Sequence, residues 1–390
     1  MGYVLSRRAV LGATAAAALA GHARAQAAKP KSPLAITVVD VAGNLALTQK
    51  AFEAYRKAKP DMAARFNFTK APAPELPAKI KAQQAANRVD IDLVLTGTDA
   101  LAAGIDQKIW IDLASRANSL PKLQEILLEP AWRMQGLAKN QGVVISYYPS
   151  GPLLEYMPDK VKSAPGSTDE LLAWTRANPN RFIYARPANS GPGRTFLMGL
   201  PYLLGDSDPK DPARGWDKSW AYLKELDKNI EYYPTGTGAV MKELGEGSRD
   251  MIVSTTGWDI NPRVLGIVPK EAKIATLKGF HWVTDAHYAC IPQGLADERV
   301  GVLLDLISFI LQPAQQAFTY DEGYLYPGPA VKDVPLSMAP KESQDAIREF
   351  GRPEYEKLIA DGKFELPLDA DQMVLAFRRW DEEIGGKKTK

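Results

Sequence analysis

The sequence predicts two α/β lobes, each built on a mainly parallel sheet that is covered by helices. Short apolar runs typical of buried strands alternate with segments of helical periodicity along the chain, and this alternation indicates βαβ units. After removal of a predicted export signal at residues 1–25, roughly 365 of the 390 residues remain. This length corresponds to about two domains. Hydrophobic residues make up 45% of the chain, enough for two cores.

The N-terminal 25 residues have the pattern of a twin-arginine signal peptide. Arg7 and Arg8 precede an apolar run from Val10 to Ala20, which is too short to cross a bilayer as a mature helix, and Ala23-Arg24-Ala25 offers a cleavage site. We therefore predict export to the periplasm and cleavage near Ala25. The alternative is a basic start to an ordinary buried helix.

Charge and cysteine content restrict the function classes. The chain has 48 basic and 46 acidic residues, but three arginines and no acid lie in the signal, so the mature chain is close to neutral. This balance gives no support for binding to nucleic acid or to a charged membrane surface. Cys290 is the only cysteine, which excludes an internal disulfide, and its apolar neighbours indicate a buried thiol.

The first half of the mature chain predicts strands that end in polar turns. Leu34–Val39 is the first strand, and Asn44 is a plausible N-cap for the helix that begins at Leu45. Shorter strands follow at 66–68 and at 91–95. Ligands of parallel sheets collect beyond the carboxyl ends of the strands, so we predict contacts from Asn44, Thr96 and Thr98, with ordinary turn and capping chemistry as the alternative.

A glycine-rich loop in the middle of the chain is the strongest candidate for an anion contact. It runs from 186 to 193 between a predicted strand at 182–185 and a helix at 195–204. Backbone N–H groups at a helix N-terminus, together with a forked guanidinium, suit a carboxylate or phosphate. We predict ligand contacts from Ser190, Gly191, Arg194 and Thr195; alternatively, Arg194 caps or pairs with a surface helix.

Further candidates follow other predicted strands, at 142–148, 230–233 and 251–254. Tyr288–Ile291 is a short buried strand, preceded by the polar and aromatic approach 282–285 and followed by a helix at 299–311. Two tryptophans could stack on a flat ligand face or simply pack in the core between the lobes. The predicted contacts in this part are Ser150, Ser254, Thr255, Trp258, Trp282 and Asp285.

The order Trp282, Asp285, Ile291-Pro292 and the run Leu306–Pro313 resembles the family-1 extracellular solute-binding proteins of ATP-driven importers, in particular the polyamine-binding branch. The resemblance implies a two-lobed, type II-like periplasmic binding-protein fold with its ligand cleft between the lobes. More than one crossing would join the lobes. It implies a first lobe of residues 33–143 and 284–335, a second lobe of 144–283 and 336–388, and a cleft contact from Tyr324.

The function implied by this resemblance is that of a periplasmic receptor, not an enzyme. It would need no cofactor and no metal, act as a monomer, and deliver its solute to an inner-membrane permease complex after export by the twin-arginine translocase. Polyamine binders carry acids near the loop Ser190–Thr195, whereas this chain has none there. The loop therefore favours a carboxylate-bearing or polyhydroxylated solute.

Three alternatives stay open. One is a polyamine receptor, with Asp285 and the tryptophans as contacts. A second is a binding module that serves a sensor kinase. The third belongs to another class, a secreted hydrolase or metal-dependent enzyme that uses His281, Asp285 and His287, although the chain has no G-x-S-x-G, H-E-x-x-H or phosphate-loop motif.

Overall fold

The computed structural model describes residues 29–73 and 75–388, so the predicted signal peptide lies outside the described residues. Ten strands form two separate sheets. The strands are β1 (Leu34–Asp40), β2 (Ala63–Lys70), β3 (Leu93–Thr96), β4 (Val143–Gly151), β5 (Leu153–Tyr156), β6 (Phe182–Ile183), β7 (Met251–Ser254), β8 (Lys273–Ala275), β9 (Trp282–Cys290) and β10 (Phe364–Glu365).

Helices cover both sheets. They are α1 (Leu45–Ala58), α2 (Leu76–Ala85), α3 (Thr98–Asp106), α4 (Leu123–Ile126), α5 (Glu129–Leu137), α6 (Thr168–Ala177), α7 (Gly191–Leu204), α8 (Asp217–Asp227), α9 (Thr237–Gly245), α10 (Thr256–Val264), α11 (Asp297–Ile310), α12 (Pro313–Gln316), α13 (Lys341–Phe350), α14 (Glu354–Ala360) and α15 (Ala370–Trp380).

The first sheet is organised around β9, whose nine residues are all buried. Strand β4 runs antiparallel to β9, while β3 and β10 also pair with β9 near its two ends. Strands β1 and β2 extend the sheet beyond β3 in parallel. A strand that is buried along its whole length reads as a continuous apolar run, and the sequence Tyr288–Ile291 shows this feature for the last part of β9.

The second sheet has the order β6-β7-β5-β8. Strand β5 runs antiparallel to both of its neighbours, and only β6 and β7 are parallel. Both sheets are thus mixed, and the prediction of mainly parallel sheets was wrong for the second sheet. Sequence alternation signals strands and helices but does not report the direction of each strand.

The chain passes between the sheets more than once. It leaves the first sheet at the end of β4, enters the second at β5, and returns through β9. Because β4 and β10 both pair in the first sheet, sheet membership and the predicted lobe boundaries do not coincide at 144–151 and 364–365. The boundaries themselves stay a prediction.

Several predicted elements differ from the structure. The predicted strand at 230–233 is absent, because this segment instead packs an aromatic cluster: Tyr233 and Tyr184 contact Trp380 of α15. Helix α7 begins at Gly191, four residues before the predicted start, since Ser190 accepts a hydrogen bond from the Gly193 N–H and caps it. The predicted approach 282–285 is itself part of β9.

Within residues 29–73 and 75–388, no single helix is long and apolar enough to reach across a membrane. Only the bent pair of α11 and the segment Pro313–Tyr320, which meet at 72°, satisfies the same criterion of length and composition.

Candidate functional site

A cavity of about 310 Å³ opens where the two sheets face each other, and we call it the central cavity. Its volume is at the lower end of the range for small-molecule sites, about 300–1,000 Å³. Strands of the first sheet contribute directly to its wall, whereas the second sheet contributes only through the helices α7, α9 and α10 and the loops next to its strands. The wall consists of Asp40, Val41, Ala42, Gly43, Lys70, Ala71, Ala73, Gly97, Asp99, Tyr148, Asn189, Ser190, Gly191, Arg194, Thr237, Trp258, His287, Tyr324 and Leu325.

The guanidinium of Arg194 forms the charged centre of the cavity wall. Arg194 lies in the first turn of α7, and its side chain is only 3% exposed. Its Nη1 donates to Asp99 Oδ2 at 2.9 Å, and its Nη2 donates to Asp285 Oδ2. Two carboxylates therefore compensate one buried cation. Charge-assisted pairs of this kind are strong when they are dry and hydrogen-bonded.

Asp285 is an internal anchor for Arg194 and has no free acceptor for a solute. Besides Arg194, its carboxylate accepts from the Thr98 hydroxyl at 2.5 Å, the Tyr148 hydroxyl at 2.8 Å and the Ala286 N–H at 3.0 Å. Burial favours the protonated acid, but the charge of Arg194 and these donors outweigh it and hold the pKa of Asp285 below its usual value. The predicted direct contact with a solute thus becomes a supporting role.

His287 presents a neutral imidazole to the cavity. Its Nδ1 lies 3.3 Å from Asn44 Nδ2, and the amide orientation of Asn44 follows from Thr48, whose hydroxyl lies 3.0 Å from Asn44 Oδ1. The Asn44 amide therefore donates to Nδ1, which leaves the ring proton on Nε2 as a donor. Burial lowers the pKa of His287 to about 4.

The N-terminus of α1 is already occupied by an acid of the protein. The two oxygens of Asp40 accept from the N–H groups of Asn44 at 3.0 Å and Leu45 at 3.1 Å. Asn44 holds the N-cap position of α1, as predicted, but its side chain does not cap the helix and bonds Ser146 and His287 instead. Burial raises the pKa of Asp40.

Other helix N-termini also meet the cavity without a side-chain cap. Helices α3, α9 and α10 begin with no capping side chain, and each places a first-turn residue in the wall, namely Asp99, Thr237 and Trp258. The positive ends of these helices partly offset the acids of the wall. Ser190 lies next to the N-terminus of α9, where its hydroxyl forms a hydrogen bond of 2.7 Å with the hydroxyl of Thr237.

The predicted site residues fall into three groups. Ser190, Gly191, Arg194, Trp258 and Tyr324 line the cavity. Asn44, Thr98 and Asp285 lie one layer behind and hold His287 or Arg194 through the contacts described above. The remaining predicted residues are buried and do not line it: Thr96, Ser150, Thr195, Ser254, Thr255 and Trp282.

The two tryptophans have different environments. Trp258 is in the cavity wall, with its ring edge-to-face against Tyr324 at 5.3 Å between centroids. Trp282 is fully buried among Leu153, Ile260 and Tyr355, and its Nε1 donates to the Leu358 carbonyl at 3.0 Å. The structure therefore does not bring Trp282 to the cavity, because its side chain belongs to a separate apolar cluster.

Fourteen of the nineteen wall residues were not among the predicted contacts, and they include Asp40, Asp99, Tyr148 and His287. Asp40 is the last residue of β1, and Asp99 follows β3 by three positions. The rule that ligands collect at strand ends applies to both and could have identified them. Tyr148 and His287 lie inside β4 and β9, where the sequence carries no such signal.

The three residues of the enzyme alternative do not form one cluster. His281 pairs with Glu365 at 3.2 Å and stacks on Tyr202, whereas His287 faces the central cavity. In the described part of the chain, no group of three or more His, Cys, Asp or Glu residues is placed to hold a metal ion.

Solved structures with this fold come from transport receptors. An ABC transporter protein from Clostridium perfringens aligns with a TM-score of 0.64 at 12% identity, over 91% of this chain and 100% of that chain. The protein AfuA of Actinobacillus pleuropneumoniae, solved with bound fructose-6-phosphate, aligns at 0.62 and 15% identity, over 91% and 99%. A spermidine/putrescine substrate-binding protein from Streptococcus pneumoniae aligns at 0.58 and 12%, over 88% and 98%.

These likenesses confirm the predicted two-lobed α/β fold of periplasmic binding proteins. A comparison with curated proteins returns no match. The family described as bacterial extracellular solute-binding protein matches residues 50–348, which is well over half of the chain. On this match, the protein belongs to the bacterial extracellular solute-binding proteins.

Proposed function

We propose that this protein is the periplasmic receptor of an ABC importer and that it captures a small carboxylate-bearing or polyhydroxylated solute by closing its two lobes. Family membership supports the coarse function of a solute-binding receptor that works with a membrane permease. The central cavity is the single observation that carries the finer proposal, because one small polar space is lined from both sheets around a buried arginine.

The wall chemistry supports hydrogen-bonding ligands over purely cationic ones. The wall residues that carry donors include Arg194, His287, Ser190 and Thr237. Hydroxyl groups of a polyol or sugar acid can both donate to and accept from such a wall. Trp258 adds an aromatic face against which the carbon chain of a solute can pack.

Two acids outside the loop Ser190–Thr195 line the cavity and favour the polyamine alternative. Asp40 and Asp99 both line the cavity, but each already accepts from donors of the protein itself. A diamine in a closed cleft needs an acceptor for each ammonium, and an unpaired buried charge costs several kcal/mol. We therefore favour the solute with hydroxyl or carboxylate groups, and keep polyamine binding as a competing outcome.

Calorimetry with matched solutes tests the proposal. Gluconate and sorbitol differ only in one terminal carboxylate, and putrescine and spermidine represent the cationic class. We expect gluconate or sorbitol to bind and to raise the melting temperature by mass action, with the solute recovered unchanged. Arg194→Ala should abolish gluconate binding. Tight binding of the polyamines alone would contradict the ligand class, and conversion of a bound solute would contradict the receptor function.

We also propose export by the twin-arginine route, which transports folded proteins across the membrane. The support is the arginine pair Arg7-Arg8 in front of an apolar run. Replacement of both arginines by lysine should leave the precursor in the cytoplasm, measured by cell fractionation. Unchanged export of this variant would show that the general secretory route is sufficient.

A further inference from the structure

The two carboxylate partners of Arg194 differ in how firmly they are held. The side chain of Asp285 is 1% exposed and accepts four hydrogen bonds, as described above. The side chain of Asp99 is 12% exposed. It accepts only from Arg194 Nη1 and from the Ala100 N–H of its own helix at 2.8 Å. Asp285 is therefore the more firmly held counter-ion of Arg194, and Asp99 is the less firmly held one.

Asp99 and Arg194 also come from different parts of the fold. Asp99 lies in the first turn of α3, which packs on β3 and β9 of the first sheet. Arg194 lies on α7, which packs against β7 of the second sheet as well as β4 and β9. Both residues line the central cavity, so the Asp99–Arg194 pair joins α3 to α7 within the cavity wall.

Two glycines border the ion pair. A Cβ atom at Gly97 would lie 3.7 Å from Arg194 Nη2 and 3.2 Å from Asp99 Oδ1, and a Cβ atom at Gly191 would lie 3.9 Å from Arg194 Nη2. Only the contact with Asp99 Oδ1 is tight, so the missing Cβ at Gly97 leaves space beside the Asp99 carboxylate. The guanidinium itself is only 3% exposed, so a solute reaches it only when Asp99 moves aside.

We propose that Asp99 is a displaceable internal counter-ion that occupies Arg194 in the unliganded protein, and that a carboxylate of the solute takes its place. This inference rests on the proposed receptor function and narrows its ligand to a carboxylate. At Arg194 Nη1 one carboxylate replaces another, while the displaced Asp99 stays in the cavity wall with its charge. The released Asp99 keeps its bond to the Ala100 N–H and gains free acceptor positions for a hydroxyl or ammonium group of the same solute.

When a side chain of the protein already occupies a binding group, the apparent affinity for a solute falls in proportion to the fraction of molecules in which that group is free. Asp99→Asn removes the competing charge but keeps the side-chain shape. Asp106→Asn is the matched control, since Asp106 is the exposed last residue of the same helix and lies away from Arg194. The minimal probe is sodium acetate, and sodium chloride at equal ionic strength is the control titration. The readout is the guanidinium resonance of Arg194, which is followed by NMR in ¹⁵N-arginine-labelled protein.

We expect acetate to shift the Arg194 signal in Asp99→Asn at about a tenfold lower concentration than in the wild type, and Asp106→Asn to behave as the wild type. Gluconate should gain affinity in Asp99→Asn, whereas sorbitol should not. If acetate leaves the Arg194 signal of folded Asp99→Asn unmoved, the displacement is overturned. Sorbitol binding in that case would still support the receptor. Should Asp99→Asn not fold, Asp99→Ser takes its place.

Discussion

At the scale of single residues, the site is built from buried charges that hold one another. Arg194 lies between Asp99 and Asp285, and the hydroxyls of Thr98 and Tyr148 saturate what remains of Asp285. Such an arrangement stabilises the protein only while it is complete, since the loss of one partner leaves an uncompensated charge in the desolvated interior.

Arg194→Gln should therefore destabilise the protein by about 3–5 kcal/mol at pH 7, the cost of breaking a buried ion pair. Urea unfolding measures this loss. The double variant Arg194→Gln/Asp285→Asn should recover part of it, because the buried acid is removed as well. Arg214→Gln is the control: Arg214 pairs with Asp211 but is 89% exposed, and its loss should cost at most about 1 kcal/mol. Equal effects of the two single variants would contradict the buried network.

His287 makes a separate prediction about pH. Burial lowers its pKa from 6.5 to about 4, so between these values the unfolded chain binds a proton that the folded protein does not. Stability should therefore fall as the pH drops from 6.5 to 4, by at most about 3 kcal/mol from this residue. The charged groups near the ring are Asp285, Asp99 and Arg194.

His287→Asn keeps an acceptor near the position of Nδ1 but does not titrate. Denaturant unfolding of this variant at several pH values between 4 and 6.5 should show a flatter pH dependence than the wild type. His281→Asn serves as control, since His281 lies by Glu365 and outside the central cavity. A wild-type slope retained in His287→Asn would show that another group titrates.

The sequence could identify only part of this residue network. Ser190, Gly191 and Arg194 follow from local chemistry, because a glycine-rich loop in front of a helix is visible in the chain. The counter-ions of Arg194 come from positions 95 before and 91 after it, and no local pattern reports which acid a distant arginine will meet. His287 was missed as a ligand contact for the same reason, since its position depends on β9 lying beside β4 and on Asn44.

At the scale of elements, local signals succeeded where they determine the structure on their own. The helix start at Leu45 agrees with the prediction, and the side-chain oxygens of Ser167 and Asp369 cap α6 and α15. The failures are elements that depend on tertiary pairing. The segment 230–233 has strand propensity but packs aromatic rings instead, and the direction of β5 depends on its partners in the second sheet.

Helix α7 must approach the preceding chain closely to aim Arg194, and Gly193 permits this. A Cβ atom at Gly193 would lie 2.1 Å from the Ala185 carbonyl oxygen. We expect Gly193→Ala to destabilise the protein by about 1–3 kcal/mol, as overpacking usually does, and to weaken solute binding. Thermal unfolding and calorimetry measure the two effects.

A second helical glycine supplies the matched control for this prediction. Gly238, in the first turn of α9, has no atom within 4 Å of its added Cβ. Gly238→Ala should stabilise the protein by about 0.5–1 kcal/mol through helix propensity. If both substitutions change stability in the same direction, close packing at Gly193 is not the cause.

At the scale of the whole molecule, the two-sheet plan could be predicted, whereas its details could not. Size and strand–helix alternation indicate two lobes, and the resemblance at β9 and α11 indicates the cleft. The residue limits of the lobes are less accessible to sequence reasoning. Strands β4 and β9 are each nine residues long and lie in the first sheet, where the chain leaves for the second sheet and returns from it. A lobe boundary drawn within either segment therefore divides a continuous strand.

Closure of the lobes is the last prediction, and the single cysteine makes it measurable. Cys290 is fully buried, and burial raises its pKa well above the usual value, so thiol dyes should react only with introduced cysteines. Lys79 on α2 and Lys242 on α9 are exposed and belong to helices of the predicted first and second lobes, respectively. Dyes at Lys79→Cys and Lys242→Cys should approach each other when a solute identified by calorimetry is added.

Energy transfer between these two dyes should rise with the same midpoint as the calorimetric titration, because a ligand that contacts both lobes favours the closed state by its differential affinity. The control pair, Lys57→Cys with Lys79→Cys, lies on α1 and α2 of the predicted first lobe and should show no change. Saturated binding without a change in transfer would mean that the solute enters a cavity that is already closed. In that case the ion pair between Asp99 on α3 and Arg194 on α7 would be one contact that keeps these helices together without a solute.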